Sequence, residues 1–232
     1  MRVLFVGDSH GNAEFIKRVF GYAEEKEVET IIQVGDFGWW PRFPQGERFI
    51  HAVSSLASRM DIPFYFIDGN HEDHHQLPHE STFEVTEMEP GLFWIPRGTT
   101  FEMGGSRLLG FGGAVSVDRK WRTEHIDWFR EEVASYVQYH RAMDATDIDI
   151  VVAHDVPTGV SLNLTYPVTA DIEAHCISHR DGLAELRDTL EPERWMAGHY
   201  HQRVTDYVGE TMVEVLAHDG IRVEDSTMLA DV

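Results

Sequence analysis

A chain of 232 residues, 42% of them hydrophobic, holds enough apolar material for a sizeable core, and its length suits one domain. Its formal charge of −21 repels polyanions and acidic membranes, which argues against unaided binding to long nucleic acid but leaves small phosphate esters open where bound cations supply local positive charge. The single cysteine, Cys176, excludes an intrachain disulfide and suits a reducing cytoplasm; no stretch reaches the roughly 18–20 apolar residues of a membrane span, and the first apolar run is too short for a signal peptide.

Residues 3–6 read as a buried strand, a short apolar run that stops at Gly7 and leads into Asp8-Ser9-His10-Gly11. A helix is predicted over 13–26, because Phe15, Ile16, Val19, Phe20 and Ala23 share one face. A second strand, 30–34, runs into Gly35-Asp36. A second amphipathic helix, 47–60, carries Phe49, Ile50, Val53, Leu56 and Ala57. A third strand, 64–67, stops just before Gly69-Asn70-His71-Glu72. This βαβαβ opening argues for mainly parallel strands with helices outside. Strands are predicted over 92–95, 99–103 and 107–111, the last two joined by a hairpin at Gly104-Gly105. A helix near 124–139 follows, then a strand over 148–153 that delivers His154. A short helix, 181–190, precedes a strand over 195–197 that leads into Gly198-His199-Tyr200-His201. Segments 204–207 and 211–216 read as a hairpin.

Five of these segments carry the chemistry. In order they supply Asp8, His10, Asp36, Asn70, His71, His154, His199 and His201. All are oxygen or imidazole donors with no thiolate, a mixture that suits borderline divalent metals such as Mn, Fe, Co, Ni or Zn. Asp8, Asp36 and Asn70 each follow the carboxyl end of a strand, the rim where α/β sheets bind ligands. Glycines at 7, 35 and 69 would let the backbone turn where side chains must converge.

The order D-x-H, G-D, G-N-H-E, H and G-H-x-H, running from position 8 to position 201, resembles the calcineurin-like metallophosphoesterase superfamily. The resemblance implies an α/β fold: a four-layer αββα sandwich of two mixed β-sheets flanked by helices. It implies two divalent metal ions, with Mn the first choice, on Asp8, His10 and His201 on one side and Asn70, His154 and His199 on the other. Asp36 is the implied bridge and His71 the implied general acid. The reaction expected is in-line attack of a metal-bridging hydroxide on a phosphate ester.

Superfamily protein phosphatases carry an Asp-Arg pair shortly after the second motif. Here that stretch reads Phe37-Gly38-Trp39-Trp40-Pro41-Arg42, with only Arg42 to substitute. The chain is therefore expected to resemble the small, stand-alone phosphodiesterases of the superfamily, acting on small diesters such as 2′,3′-cyclic nucleotides. A phosphomonoesterase or protein phosphatase is the alternative. A non-catalytic scaffold is disfavoured by the retained His71. Arg42 and His74 are candidate substrate contacts, as are His75 and His79 in the same loop. Trp39 and Trp40 are candidates for a substrate wall. Arg97, Arg119 and Arg122 are candidate phosphate contacts without positional support, Glu72 reads as structural support or a solvated turn carboxylate, and Asp155 as a group behind His154 or a plain loop carboxylate.

Overall fold

The computed structural model describes residues 1–78, 83–164 and 168–232. The strands are β1 (Arg2–Val6), β2 (Thr30–Gln33), β3 (Phe64–Phe66), β4 (Thr86–Glu89), β5 (Leu92–Trp94), β6 (Thr99–Met103), β7 (Ser106–Phe111), β8 (Ile150–Ala153), β9 (Arg194–Ala197), β10 (Val204–Val208), β11 (Thr211–Val215) and β12 (Thr227–Asp231). The helices are α1 (Ala13–Glu25), α2 (Pro44–Met60), α3 (Tyr136–Met143) and α4 (Ala170–Leu190).

They form two mixed six-stranded sheets, ordered β12-β1-β2-β3-β5-β4 and β10-β11-β9-β8-β7-β6. Each sheet has four adjacent parallel strands with an antiparallel strand at either edge. Strand alternation builds the layers. In β1, Val3 and Phe5 enter the apolar cluster between the sheets, while Leu4 and Val6 join α1 and α2 on the outer face. In β8, Ile150 and Val152 face the other sheet, while Val151 and Ala153 pack with α4. The result is the αββα sandwich. Each large side chain buried this way contributes roughly 1.5–3 kcal/mol, so the strand ends that carry the site are fixed in register.

The helices follow local rules. Asn12 caps α1, its Oδ1 accepting from the backbone N–H of Glu14 and Phe15 at 3.1 Å each. The buried face of α1 is the one its periodicity predicts. Pro44 opens α2 at its first turn.

Four elements differ from expectation: a helix, the start of α4, and two edge strands. The helix near 124–139 is absent; the chain makes two 3-10 turns, Arg119–Trp121 and Arg130–Glu132, and becomes helical only in α3. The start signal is the Ser135/Gln138 capping box, while residues before it are tied to other elements through Arg122, Phe129 and Glu132. Helix α4 begins at Ala170, not 181; its first half buries little besides Ile172 and leaves Ile177 exposed, so the apolar period is weak there. Edge strands β4 and β12 have half-exposed, mixed sequences that hide their period. No helix among the described residues is long and apolar enough to cross a membrane.

Candidate metal centre

The parallel strands β1, β2, β3, β8 and β9 release Asp8, Asp36, Asn70, His154 and His199 at one rim, where the side chains meet. Donor atoms of Asp8, His10 and His201 lie within 4.8 Å of one another, as do those of Asp8, Asp36 and His154. Asp36 turns one oxygen to each group: Oδ2 is 3.5 Å from His10 Nε2, and Oδ1 is 3.4 Å from His154 Nε2. Asn70 Oδ1 lies 3.3 Å from the same His154 nitrogen. His201 Nε2 is 3.2 Å from Asp8 Oδ2, and both Asp8 oxygens accept the backbone N–H of His199, at 3.1 and 3.2 Å.

Tight packing explains the motif glycines better than turning does. A Cβ on Gly69 would lie 2.2 Å from Asp36 Oδ1 and 2.8 Å from His154 Nε2; one on Gly198 would lie 2.2 Å from Asp8 Oδ1. Of the expected turn glycines, Gly35 is the one with a left-handed backbone, at φ 97°. The strain sits on the donors themselves. His10, Asp36, His199 and His201 all have positive φ, between 45° and 66°, a conformation that persists only where surrounding structure over-determines it.

Charge follows the geometry. Burial opposes a charge on His154, but Asp36 and Asp8 push its pKa up to about 10. Burial likewise opposes His10, and Asp36 and Asp8 raise it to about 9. Burial opposes ionisation of Asp36, yet His154 and His71 hold it well below the usual carboxylate range. Burial pushes His199 down to about 4, a neutral imidazole. Buried carboxylates, neutral or displaceable imidazoles and an amide oxygen fit divalent cations, whose binding would release the ring protons.

A family model described as calcineurin-like phosphoesterase matches residues 1–203. The chain belongs to the calcineurin-like phosphoesterase family. Its two donor groups, Asp8, His10 and His201 and Asp8, Asp36 and His154, are of a kind that could hold divalent cations. The lariat debranching enzyme of Schizosaccharomyces pombe is 25% identical over 242 residues, covering 90% of this chain and 50% of that protein. Its counterpart in Drosophila pseudoobscura pseudoobscura is 23% identical, covering 87% and 42%. This chain thus spans about half the length, or less, of these two relatives. Among solved structures, TT1561 of Thermus thermophilus aligns with a TM-score of 0.60 and 17% identity, covering 94% of this chain and 89% of that one. A dimetal phosphatase of Danio rerio aligns with a TM-score of 0.54 and 10% identity, covering 94% and 88%. Both are likenesses of fold.

Around the phosphoesterase donors stands a shell that orients the His154 and His10 rings and the Asn70 amide. His154 Nδ1 donates to the Val34 carbonyl at 2.8 Å, leaving Nε2 for the site. Asn70 Nδ2 donates to Ser116 Oγ at 3.0 Å, and that hydroxyl donates to Glu132 Oε2 at 2.5 Å. The amide oxygen therefore points inward. Asp219 sits 3.3 Å from His10 Nδ1 and accepts from Asn12 Nδ2 at 2.7 Å. Buried Glu72 accepts from Gly38 N at 3.0 Å and Gly69 N at 2.5 Å, pinning two motif turns together; burial, then the charge of Asp36, raises its pKa to about 8. Asp155 accepts the Tyr200 hydroxyl at 2.6 Å and so braces the turn that carries His199 and His201.

His71 lies beside the donors. Its backbone N–H donates to Asp36 Oδ1 at 2.9 Å, and its ring Nε2 is 3.9 Å from Asp36 Oδ2. Burial lowers its pKa, and nearby Arg122 lowers it further. A cavity of about 360 Å³ opens at His10, lined also by Gly38, Trp40, Phe43, Gln45 and Ile126.

The weaker substrate contacts are placed elsewhere. Arg42 is paired with Asp73, and its Nη2 donates to the carbonyls of His125 and Ile126 at 3.5 and 3.4 Å, so it ties down a loop. The His74 side chain is only 4% exposed and stands 3.9 Å from Asp68, leaving no surface for substrate. Arg97 is buried on Asp68 at 2.8 Å, and Arg119 pairs with Asp171 at 3.0 Å. Trp39 is buried, donating to the Gln76 carbonyl at 3.1 Å, whereas Trp40 reaches the cavity. His75 stacks on His125, and His79 lies outside the described residues. Asp219, Ser116 and Glu132 escape a reading of the sequence altogether. They belong to no motif, and His218-Asp219-Gly220 signals at most a turn.

Proposed function

We propose that this phosphoesterase is a phosphodiesterase for small diesters, with 2′,3′-cyclic nucleotides as the type substrate. The observation that carries this reading is the cavity of about 360 Å³ beside His10. A diester keeps one arm after cleavage, and the cavity gives that arm an aromatic-walled space next to the donors. The names of the two lariat debranching relatives agree with this, since removing a branch joined through phosphate means cutting one ester of a diester. The charge of −21 favours a small, singly charged substrate over a long polyanion.

In this reading Asp8, His10 and His201 would hold one divalent cation and Asn70, His154 and His199 the other, with Asp36 standing between the two groups. Mn is the first choice, with Fe, Zn, Ni or Co also suited to the donors. When bound, such a pair supplies a water of lowered pKa and neutralises charge on phosphoryl oxygens. His71 stands beside Asp36 with a ring 38% exposed, and it carries the proton that the departing alkoxide needs. Buried Glu72, Ser116 and Glu132, with half-buried Asp219, keep the donors aimed. The single cysteine suits a reducing cytoplasm as the place of action.

The test is hydrolysis of bis-p-nitrophenyl phosphate beside p-nitrophenyl phosphate on chelated protein reloaded with Mn, with 2′,3′-cyclic AMP in parallel. Faster turnover of the diester and opening of the cyclic nucleotide are expected. Preference for the monoester would make the enzyme a phosphatase, with phosphopeptides as the next substrates. Full activity of verified metal-free protein would refute the metal assignment.

A further inference from the structure

Arg122 stands out among the described arginines because its guanidinium meets the ring of His71. Its Nη2 lies 2.6 Å from His71 Nε2 and 3.1 Å from Nδ1. The group is held rigidly: Nε and Nη2 each reach the Asp118 carboxylate at 2.8 Å, and Nη1 donates to the Asp127 carbonyl at 3.3 Å. Its side chain is 9% exposed. The surrounding loop, from Ser116 to Glu132, is fastened to the centre at one end by the Ser116–Asn70 and Ser116–Glu132 bonds. At its middle it is fastened by Arg42, through the carbonyls of His125 and Ile126.

A guanidinium carries donors only, so the ring nitrogen opposite it must act as acceptor. A phosphoryl oxygen is a stronger acceptor, because it is charged, and the Nη2 group that faces His71 can donate to it. It can take the place of the His71 nitrogen as the partner of Arg122 and leave the histidine to the leaving group. Arg42, Arg97 and Arg119 pair with Asp73, Asp68 and Asp171 as Arg122 pairs with Asp118, but the Arg122 guanidinium also faces the His71 ring. None of the other three fills the role of the missing Asp-Arg pair.

We infer that Arg122 is a substrate ligand, its guanidinium holding a non-bridging oxygen of the phosphoryl group beside His71. This rests on the phosphoesterase reading of the site, but the contact is measurable without turnover. Inorganic phosphate is the probe, titrated by calorimetry into the full chain loaded with Mn, for wild type, Arg122→Gln and Arg122→Lys. Loss of one charge-assisted contact should weaken phosphate binding about 10- to 100-fold in Arg122→Gln. Arg122→Lys should fall between, since it keeps the charge and loses the fork. Metal stoichiometry should be unchanged in both, and KM for the diester should rise.

Unchanged phosphate affinity with a lowered kcat would overturn the inference and make Arg122 a positioning residue for His71. Unchanged affinity and unchanged kinetics would overturn it outright. If Arg122→Gln does not fold, Arg122→Lys decides: weakened phosphate binding there upholds the contact, and wild-type affinity overturns it. Weakened phosphate binding in a protein that hydrolyses no ester would uphold the Arg122 contact and sink the catalytic reading instead.

Discussion

Asp219 Oδ1 stands 3.3 Å from Nδ1 of His10, across a separation of 209 positions in the chain. It fixes the tautomer in which the other ring nitrogen, Nε2, faces Asp36. Burial opposes ionisation of Asp219, but its bonds to Asn12 and His10 hold its pKa below the usual range, so it is a charged partner for the ring. Carboxylates in this position typically contribute 10- to 100-fold to metal affinity. Asp219→Asn should therefore bind Mn about 10- to 100-fold more weakly while keeping its fold, which metal titration with a competing chelator will measure. Wild-type affinity would mean that His10 needs no such brace.

Ser116→Ala tests the other side of the centre. The hydroxyl accepts from Asn70 Nδ2 and donates to Glu132, so removing it frees the amide to turn its nitrogen inward and leaves a buried carboxylate one donor short. A buried group left unsatisfied costs about 1–3 kcal/mol. Denaturant unfolding should register that loss, and one of the two metal sites should weaken while the other holds. Equal weakening of both sites would contradict the placement of Asn70 on one cation.

The strand-end candidates were legible because Asp8, Asp36, Asn70, His154 and His199 come shortly after apolar strands, and strand ends are what a sequence signals best. Val3 to Val6 leads to Asp8, and Ile150 to Ala153 leads to His154. The supporting residues were illegible for the opposite reason. Ser116 and Glu132 lie in a loop with no regular period, and only tertiary contacts give them a role; Arg122 in the same loop could be named as a candidate phosphate contact but not placed. The same loop produced the one false helix. Phe129 and Trp128 there look like a helical face, yet Phe129 is buried under the His75 ring and beside Arg42. His74 and Arg42 were plausible contacts by sequence position alone. Their carboxylate partners, Asp68 and Asp73, were visible in the sequence, but the pairing was not.

His71→Ala separates chemistry from metal binding. The backbone N–H that serves Asp36 survives the change, so metal stoichiometry should be unaltered. A missing general acid slows reaction by about 10²–10⁴-fold where the leaving alkoxide is basic, and far less for nitrophenolate. Initial rates on an alkyl diester and on bis-p-nitrophenyl phosphate should therefore diverge in the variant. Equal slowing on both substrates would remove His71 from the proton transfer.

Gly69→Ala tests the crowding at the motif turns. The added methyl would meet Asp36 Oδ1 at 2.2 Å and His154 Nε2 at 2.8 Å, with backbone on one side and ligands on the other. Overpacking of this kind costs about 1–3 kcal/mol, and here any relaxation must move a donor. The apo protein should lose stability by that amount in urea unfolding, and metal uptake should fall as well. Uptake unchanged from wild type would show that the turn can yield without disturbing Asp36.

His74 makes the fold sensitive to acid. Burial, then the charge of Arg97, lowers its pKa from 6.5 to about 4, against an opposing pull from Asp68 and Glu131. The folded chain therefore binds fewer protons than the unfolded chain between pH 6.5 and about 4. Stability from this residue is present above pH 6.5 and is lost as pH falls through that window, with a ceiling of about 3 kcal/mol. In His74→Phe the ring still packs near Phe129 but cannot take a proton. Both proteins will lose stability in acid through their carboxylates, so the comparison is the difference in unfolding free energy between about pH 7 and about pH 4.5, measured in urea. Wild type should lose about 1–3 kcal/mol more across that range than the variant. Equal losses would mean that His74 is solvated or paired once protonated, and that the acid sensitivity lies elsewhere.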